Sequence, residues 1–223
     1  MPQERVDLLL NSLVVRLAMT ALFNKDDPNY WAARAAETFS SGEGHRDRGI
    51  FSIYLLNPVH LQPEQGTFQP AGTLHAYLEG VTVELMANSD NVLRGGLTRK
   101  HVDVPGLMRI LSFDNGLTPV LVGEPAGDSE WVYHTPSEEF ELSRIDLVPG
   151  GEYLGQATLG PDSIIVLDGA ATLTASGQSY PLARGAIVLT PFRTHYVLNA
   201  TVTSAMLFKA SVPRRSEFVH DSE

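Results

Sequence analysis

The chain has no cysteine among its 223 residues. Disulfides and thiolate metal sites are therefore excluded, and a bound metal would rest on His, carboxylate or amide ligands. Basic residues are scarce: 16 Lys+Arg stand against 26 Asp+Glu, a formal net charge of -10. That balance argues against nucleic acid or an anionic membrane as partner, since both are bound through basic surface. A local Arg/Lys cluster still suffices for one phosphate. No apolar run is long enough to span a bilayer. No secretory leader is visible, because the apolar stretch near the start is broken by Asn11, Ser12 and Arg16. The chain is accordingly read as soluble and cytoplasmic. Charged residues, at 19 %, are too few for disorder, and hydrophobic residues, at 43 %, are enough for a core. The length suits one large domain or two small ones.

Val6, Leu9, Leu10, Leu13, Val14, Leu17 and Ala21 recur at three- and four-residue steps and predict a helix over residues 4–23. Asp26-Asp27-Pro28 stops it and starts an Ala-rich second helix over 28–39. Residues 40–49 are polar and Gly-rich and read as a loop. From residue 50 the period becomes strand-like: 50–59 is rich in aromatic and β-branched residues, 67–69 reads as a short strand, and 81–86 alternates. Residues 101–112 read as an extended arm followed by a helical turn. Beyond residue 113 short apolar runs, at 140–147, 152–157, 163–167, 171–175, 178–182, 186–189, 195–199 and 205–210, are split by Gly, Pro and Asp. Such spacing predicts an all-β sandwich or barrel. The polar tail 214–223 is expected to fray.

A weak internal repeat links the two halves. Gly66 to His75 parallels Gly185 to His195: a glycine turn, a strand, a proline at its end (Pro70, Pro191), then a histidine four to five residues on. This pattern resembles the second half of the cupin motif.

The candidate chemistry is concentrated between residues 70 and 100. His75 follows the Pro70-Ala71-Gly72 turn; a neutral imidazole there can ligate zinc, or can simply bond a backbone carbonyl. Tyr77, two residues on, shares its strand face and can bond substrate or fill a barrel. Glu84 alternates with Val83 and Leu85, and a carboxylate turned into a small barrel calls for a partner. Arg94 can fork onto a phosphate, stabilise an oxyanion, or salt-bridge Asp90 or Glu84. Lys100 suits a phosphate or the solvent, and Asp90 with Asn91 suits a capped turn. His195 reads as structural, because Arg193 replaces the glycine of the first motif. His45, His60, His101, His134 and His220 lack ligand spacing. Gly95-Gly96 follows no strand-to-helix phosphate loop, so a nucleotide fold is not indicated.

Three blocks together resemble the type I mannose-6-phosphate isomerase (phosphomannose isomerase) family of the cupin superfamily: Leu55-Leu56-Asn57, the run from Pro70 through His75-Ala76-Tyr77-Leu78, and the run Met86-Ala87-Asn88-Ser89-Asp90-Asn91-Val92-Leu93-Arg94-Gly95-Gly96-Leu97-Thr98-Arg99-Lys100. Many members of that family have Ala where Gly95 stands and Pro where Arg99 stands. The resemblance implies a mainly β, cupin-like jelly roll behind an N-terminal helical segment. On it the helices occupy 1–48, part of a catalytic barrel 49–112, a complete C-terminal barrel 113–213 and a flexible tail 214–223. It implies zinc-dependent interconversion of mannose 6-phosphate and fructose 6-phosphate through a cis-enediol. His75 would be one of four zinc ligands (a Gln, two His and a Glu), Arg94 the active-site arginine, and Tyr77, Glu84, Asp90 and Lys100 pocket residues for the phosphorylated sugar. No Gln-x-His pair is present, so the other three ligands are expected from a further N-terminal segment or a separate chain. The alternative is a non-catalytic cupin-like sugar-binding or interaction module without its metal.

Overall fold

The computed structural model describes residues 1–19, 24–39, 44–89, 91–114, 116–157 and 159–213. They divide into two units: residues 1–61, 67–81 and 89–119 in unit 1, and residues 62–66, 82–88 and those from 120 onward in unit 2.

Unit 1 is built on helices. Helix α1 (Gln3–Met19) and α2 (Pro28–Thr38) follow the predicted apolar spacing; positions 20–23 lie outside the described residues. Asp27 caps α2 as its position before Pro28 suggests, its carboxylate accepting from the Asn29 amide at 2.8 Å. Val6, Leu10 and Leu17 of α1 close on Ala32, Ala35 and Ala36 of α2. The stretch predicted as strand-like from residue 50 is instead a short helix, α3 (Ile50–Leu55). Ile50 is buried in the α1–α2 core, with Phe51 and Ile53 packed against it. That burial overrides the β preference of the side chains. The helix ends before Leu56-Asn57-Pro58, where the proline disfavours the helical region for Asn57. The carboxylate of Asp7 accepts from the Arg46 amide at 2.8 Å and bonds the His45 ring, tying the chain before α3 to α1. In the arm beyond residue 100, helix α4 (Val104–Ile110) is capped by Asp103, which accepts from the Gly106 amide at 3.0 Å.

Strand β1 is only Gln65–Gly66. The strands predicted at 67–69 and 81–86 do not form. The alternation that suggested the second survives as burial: Val83, Leu85 and Ala87 are half-buried, while Glu84 and Met86 are exposed. A ladder needs a neighbour to take its N–H and C=O groups, and among the described residues none pairs with this segment.

Unit 2 is an antiparallel sheet centred on one long strand. Its elements are β2 (Leu121–Val122), β3 (Glu124–Pro125), β4 (Glu130–Tyr133), β5 (Glu141–Leu147), β6 (Glu152–Gln156), β7 (Asp162–Ala175), β8 (Gln178–Ala183), β9 (Ile187–Thr190), β10 (His195–Asn199) and β11 (Ala205–Ser211). β1 pairs with β2; the main sheet runs β3-β4-β5-β11-β7-β10-β6, with β8 and β9 also on β7. Strands β5, β6 and β8–β11 lie close to the bounds that the apolar runs predict. The two runs at 163–167 and 171–175 are one strand, bent at Gly169 (φ +69°), where any side chain would overlap the Ser204 carbonyl. β11 shifts register there, between Met206 and Leu207. Strands β2, β3 and β4 were not legible in the sequence.

On three strands of unit 2 the inward side chains grade from apolar to polar. Leu147, Ile145, Ser143 and Glu141 succeed one another on β5, Ala205, Leu207, Lys209 and Ser211 on β11, and Val166, Ile164 and Asp162 on β7. The apolar ends make the core, with Leu173, Leu182 and Leu198. Among the described residues no helix is long and apolar enough to cross a membrane.

Candidate active site

The Pro70–Thr73 turn closes with the Thr73 amide donating to the Pro70 carbonyl at 3.2 Å. Gly72, its third residue, has φ +83°, the left-handed value a type II turn demands there. A Cβ at Gly72 would sit 2.6 Å from the Ile110 carbonyl, and the Ser112 amide donates to the Gly72 carbonyl at 2.9 Å. The turn is thereby clamped on the C-terminal end of α4, which fixes where the following residues start. The second copy of the repeat builds the same turn: the Thr194 amide donates to the Pro191 carbonyl at 3.1 Å, and Arg193 takes φ +65° where Gly72 stands in the first.

Beyond the Gly72 turn His75 is exposed, its Nδ1 2.9 Å from the Thr73 carbonyl. Its ring meets Tyr77 edge-on at 6.1 Å between centroids, so the two share one face, as their spacing predicts. The expectation that this face points into a closed barrel is not met: His75 and Tyr77 are exposed, Tyr77 by 60 % and Val81 by 98 %. No strand among the described residues pairs with this segment to form such an interior.

Glycine explains how Arg94 is placed. A side chain at Gly95 would overlap Leu74, and one at Gly96 would come 3.0 Å from the Cα of Gly49, ahead of α3. The backbone at 94–97 thus lies directly on Leu74 and Gly49. His75 and Arg94 each neighbour one member of the Leu74–Gly95 contact, and both are exposed. Lys100 is exposed in the same unit, its amide bonded to Thr98 Oγ1 at 3.1 Å. Glu84 is also exposed and falls in unit 2, so the inward carboxylate that alternation suggested is not formed. Asp90 lies outside the described residues.

One charged member of the region escaped the sequence reading. Glu79 pairs with Lys25 at 2.8 Å and with Arg34 of α2 at 3.7 Å. The Lys25 hydrogen bond, then its charge, hold the Glu79 carboxyl below the usual range. Nothing in the spacing marks a partner 54 positions away. His195 opens β10 and is exposed.

The described residues do not make a zinc centre by themselves. Among those described there is no group of three or more His, Asp or Glu side chains that could hold a metal ion. His75 alone supplies one imidazole nitrogen, and affinity for zinc rests on several preplaced ligands.

No family model matches the chain. Mannose-6-phosphate isomerase 2 of Arabidopsis thaliana is 32% identical over 169 residues, 76% of this chain and 38% of its own. The mannose-6-phosphate isomerase of Escherichia coli (strain K12) is 38% identical over 140 residues, 62% of this chain and 35% of its own. The crystal structure of mannose 6-phosphate isomerase (apo form) from Salmonella typhimurium matches with a TM-score of 0.72 and 26% identity, covering 96% of this chain and 52% of that one. The chain spans less than half the length of these curated relatives and about half of the solved one. Over most of its own length, then, this chain is a relative of the mannose-6-phosphate isomerases and shares the fold of the solved one.

Proposed function

We propose that the chain forms part of an aldose–ketose isomerase that interconverts mannose 6-phosphate and fructose 6-phosphate. The observation that carries this reading is the Leu74–Gly95 contact. It sets His75 and Arg94 on adjoining stretches of backbone, within the motifs that resemble the isomerase family. In the reaction a proton moves between C1 and C2 of the open-chain sugar through a cis-enediol. Arg94, permanently charged, stabilises the negative charge that develops on the enediolate oxygen. Lys100 and Tyr77 bind and orient the phosphorylated sugar. His75 is one imidazole donor of the zinc site that the resemblance also implies, and the remaining donors come from polypeptide beyond the residues described. A cytoplasmic location suits the cysteine-free composition and a phosphorylated substrate.

The test mixes the purified chain with a polypeptide carrying the part of a phosphomannose isomerase that it does not match, then follows mannose 6-phosphate conversion and zinc content. Activity in the mixture, lost in Arg94→Ala, is the expected result. A stable, zinc-loaded mixture with no isomerase activity would refute the reading and leave a binding module in its place.

A further inference from the structure

The polar end of the unit 2 interior is a second feature with chemistry of its own. Lys209 is only 12% exposed and Glu130 14%, and their side chains meet at 2.6 Å. The Lys209 ammonium also donates to the Tyr153 hydroxyl at 2.7 Å, and that hydroxyl donates to Glu130 at 3.0 Å. Ser143 donates to the other Glu130 oxygen at 2.7 Å. Asp162, 4% exposed, accepts from the Tyr196 hydroxyl at 2.8 Å. Gly155 makes room for the Tyr196 ring, which any side chain there would overlap.

Charges withdrawn from water in this way add little net stability compared with apolar residues of the same volume. They do, however, line a cleft of about 130 Å³, together with Glu141, Gln156, Ser211 and the apolar Val132, Leu159 and Val212. Two groups retain bonding capacity toward it. Of the three N–H donors of Lys209, two are engaged among the described residues. One oxygen of Asp162 is held by Tyr196, and a carboxylate offers about four acceptor positions.

We infer that this cleft is a binding site for a small uncharged polyol or single monosaccharide, separate from the Arg94 site. Carboxylates accept from hydroxyls, the amide of Gln156 accepts and donates, Lys209 donates, and Val132, Leu159 and Val212 cover the C–H face. With Glu130 paired to Lys209, the buried Asp162 carboxylate, bonded by the neutral Tyr196 hydroxyl, disfavours a phosphorylated or carboxylated sugar. The volume is well below that of a pocket for a drug-sized ligand.

The test is saturation-transfer NMR on the full chain with mannitol and with free mannose. Transfer to the C–H protons of a probe is expected, about tenfold weaker or absent in Ser211→Phe, which fills the cleft, and in the charge-free pair E130Q/K209M. It should persist unchanged in Arg94→Ala. Folding of each variant is checked by near-ultraviolet circular dichroism, and either folded variant suffices. No transfer to either probe, equal transfer in a folded cleft variant, loss in Arg94→Ala, or equal binding of mannose 6-phosphate in the cleft overturns the inference. None of these readouts depends on isomerase activity.

Discussion

Removing the Lys209 ammonium tests how the unit 2 interior tolerates charge. In Lys209→Met the Glu130 carboxylate stays where β4 holds it but loses its counter-ion, keeping the hydrogen bonds from Ser143 and Tyr153. Breaking a buried pair from one side costs about 3–5 kcal/mol; with two donors remaining, about 3 kcal/mol is expected at neutral pH. The double variant E130Q/K209M should recover most of it, to within about 1 kcal/mol of the parent. The sign of the pH dependence separates this cause from simple loss of packing. In the parent, burial pushes the Glu130 carboxyl up, but the Lys209 hydrogen bond and charge, helped by Ser143 and Tyr153, outweigh it and leave it below 4.5. Its contribution is therefore present above pH 4.5 and is lost as pH falls through the folded value. In Lys209→Met burial is unopposed by charge, the folded value rises above 4.5, and protonation on acidification relieves the variant. The gap between parent and variant should narrow below pH 4.5. Urea unfolding in a Trp31→Phe background, followed by Trp131 fluorescence in β4, isolates unit 2. A gap equal at pH 4 and pH 7 would refute the reasoning.

Three further substitutions probe the turns and the core. Gly155→Ala should destabilise unit 2 by about 1–3 kcal/mol, as overpacking against the buried Tyr196 ring does, read in urea unfolding and the near-ultraviolet tyrosine signal. Gly72→Ala should cost about 1–2 kcal/mol for the left-handed backbone alone, more once the Ile110 carbonyl must yield, and should increase hydrogen exchange at the Ser112 amide. Arg193→Gly should stabilise unit 2 by about 0.5 kcal/mol. It relieves the same left-handed strain, less the lost stacking of the guanidinium on Phe192 at 4.9 Å and the added unfolded-state freedom of glycine; chemical denaturation measures the net sign.

Legibility followed whether a segment finds its neighbours among the described residues. The strands from 140 to 211 pair with one another, so their alternation and their Gly and Pro punctuation were sufficient to place them. Helices α1 and α2 were readable because the apolar stripe of α1 and the alanines of α2 bury each other. Residues 67–69 and 81–86 are strand-like in sequence but find no ladder among the described residues, so neither forms the expected strand. Ile50–Leu55 failed for the opposite reason, since packing on two helices overruled β-forming side chains. At the site, the shared face of His75 and Tyr77 and the turn at Gly72 were visible in spacing. The Glu79–Lys25 pair and the Leu74–Gly95 contact join distant positions and leave no periodic trace. The Lys209–Glu130 cluster left one overlooked sign: polar residues at inward positions of strands otherwise filled with Ile, Leu and Val.

The gradient along β5, β7 and β11 has a kinetic consequence. Amides beside Ile145, Val166 and Leu207 lie where apolar packing is continuous, so their exchange with solvent requires the whole sheet to come apart. Amides beside Ser143 and Lys209 are secured by ionic and hydroxyl contacts that a few water molecules can replace. Unit 2 should thus breathe from one end, like a clasp hinged at its oily side, with the cleft admitting solvent long before the far end loosens.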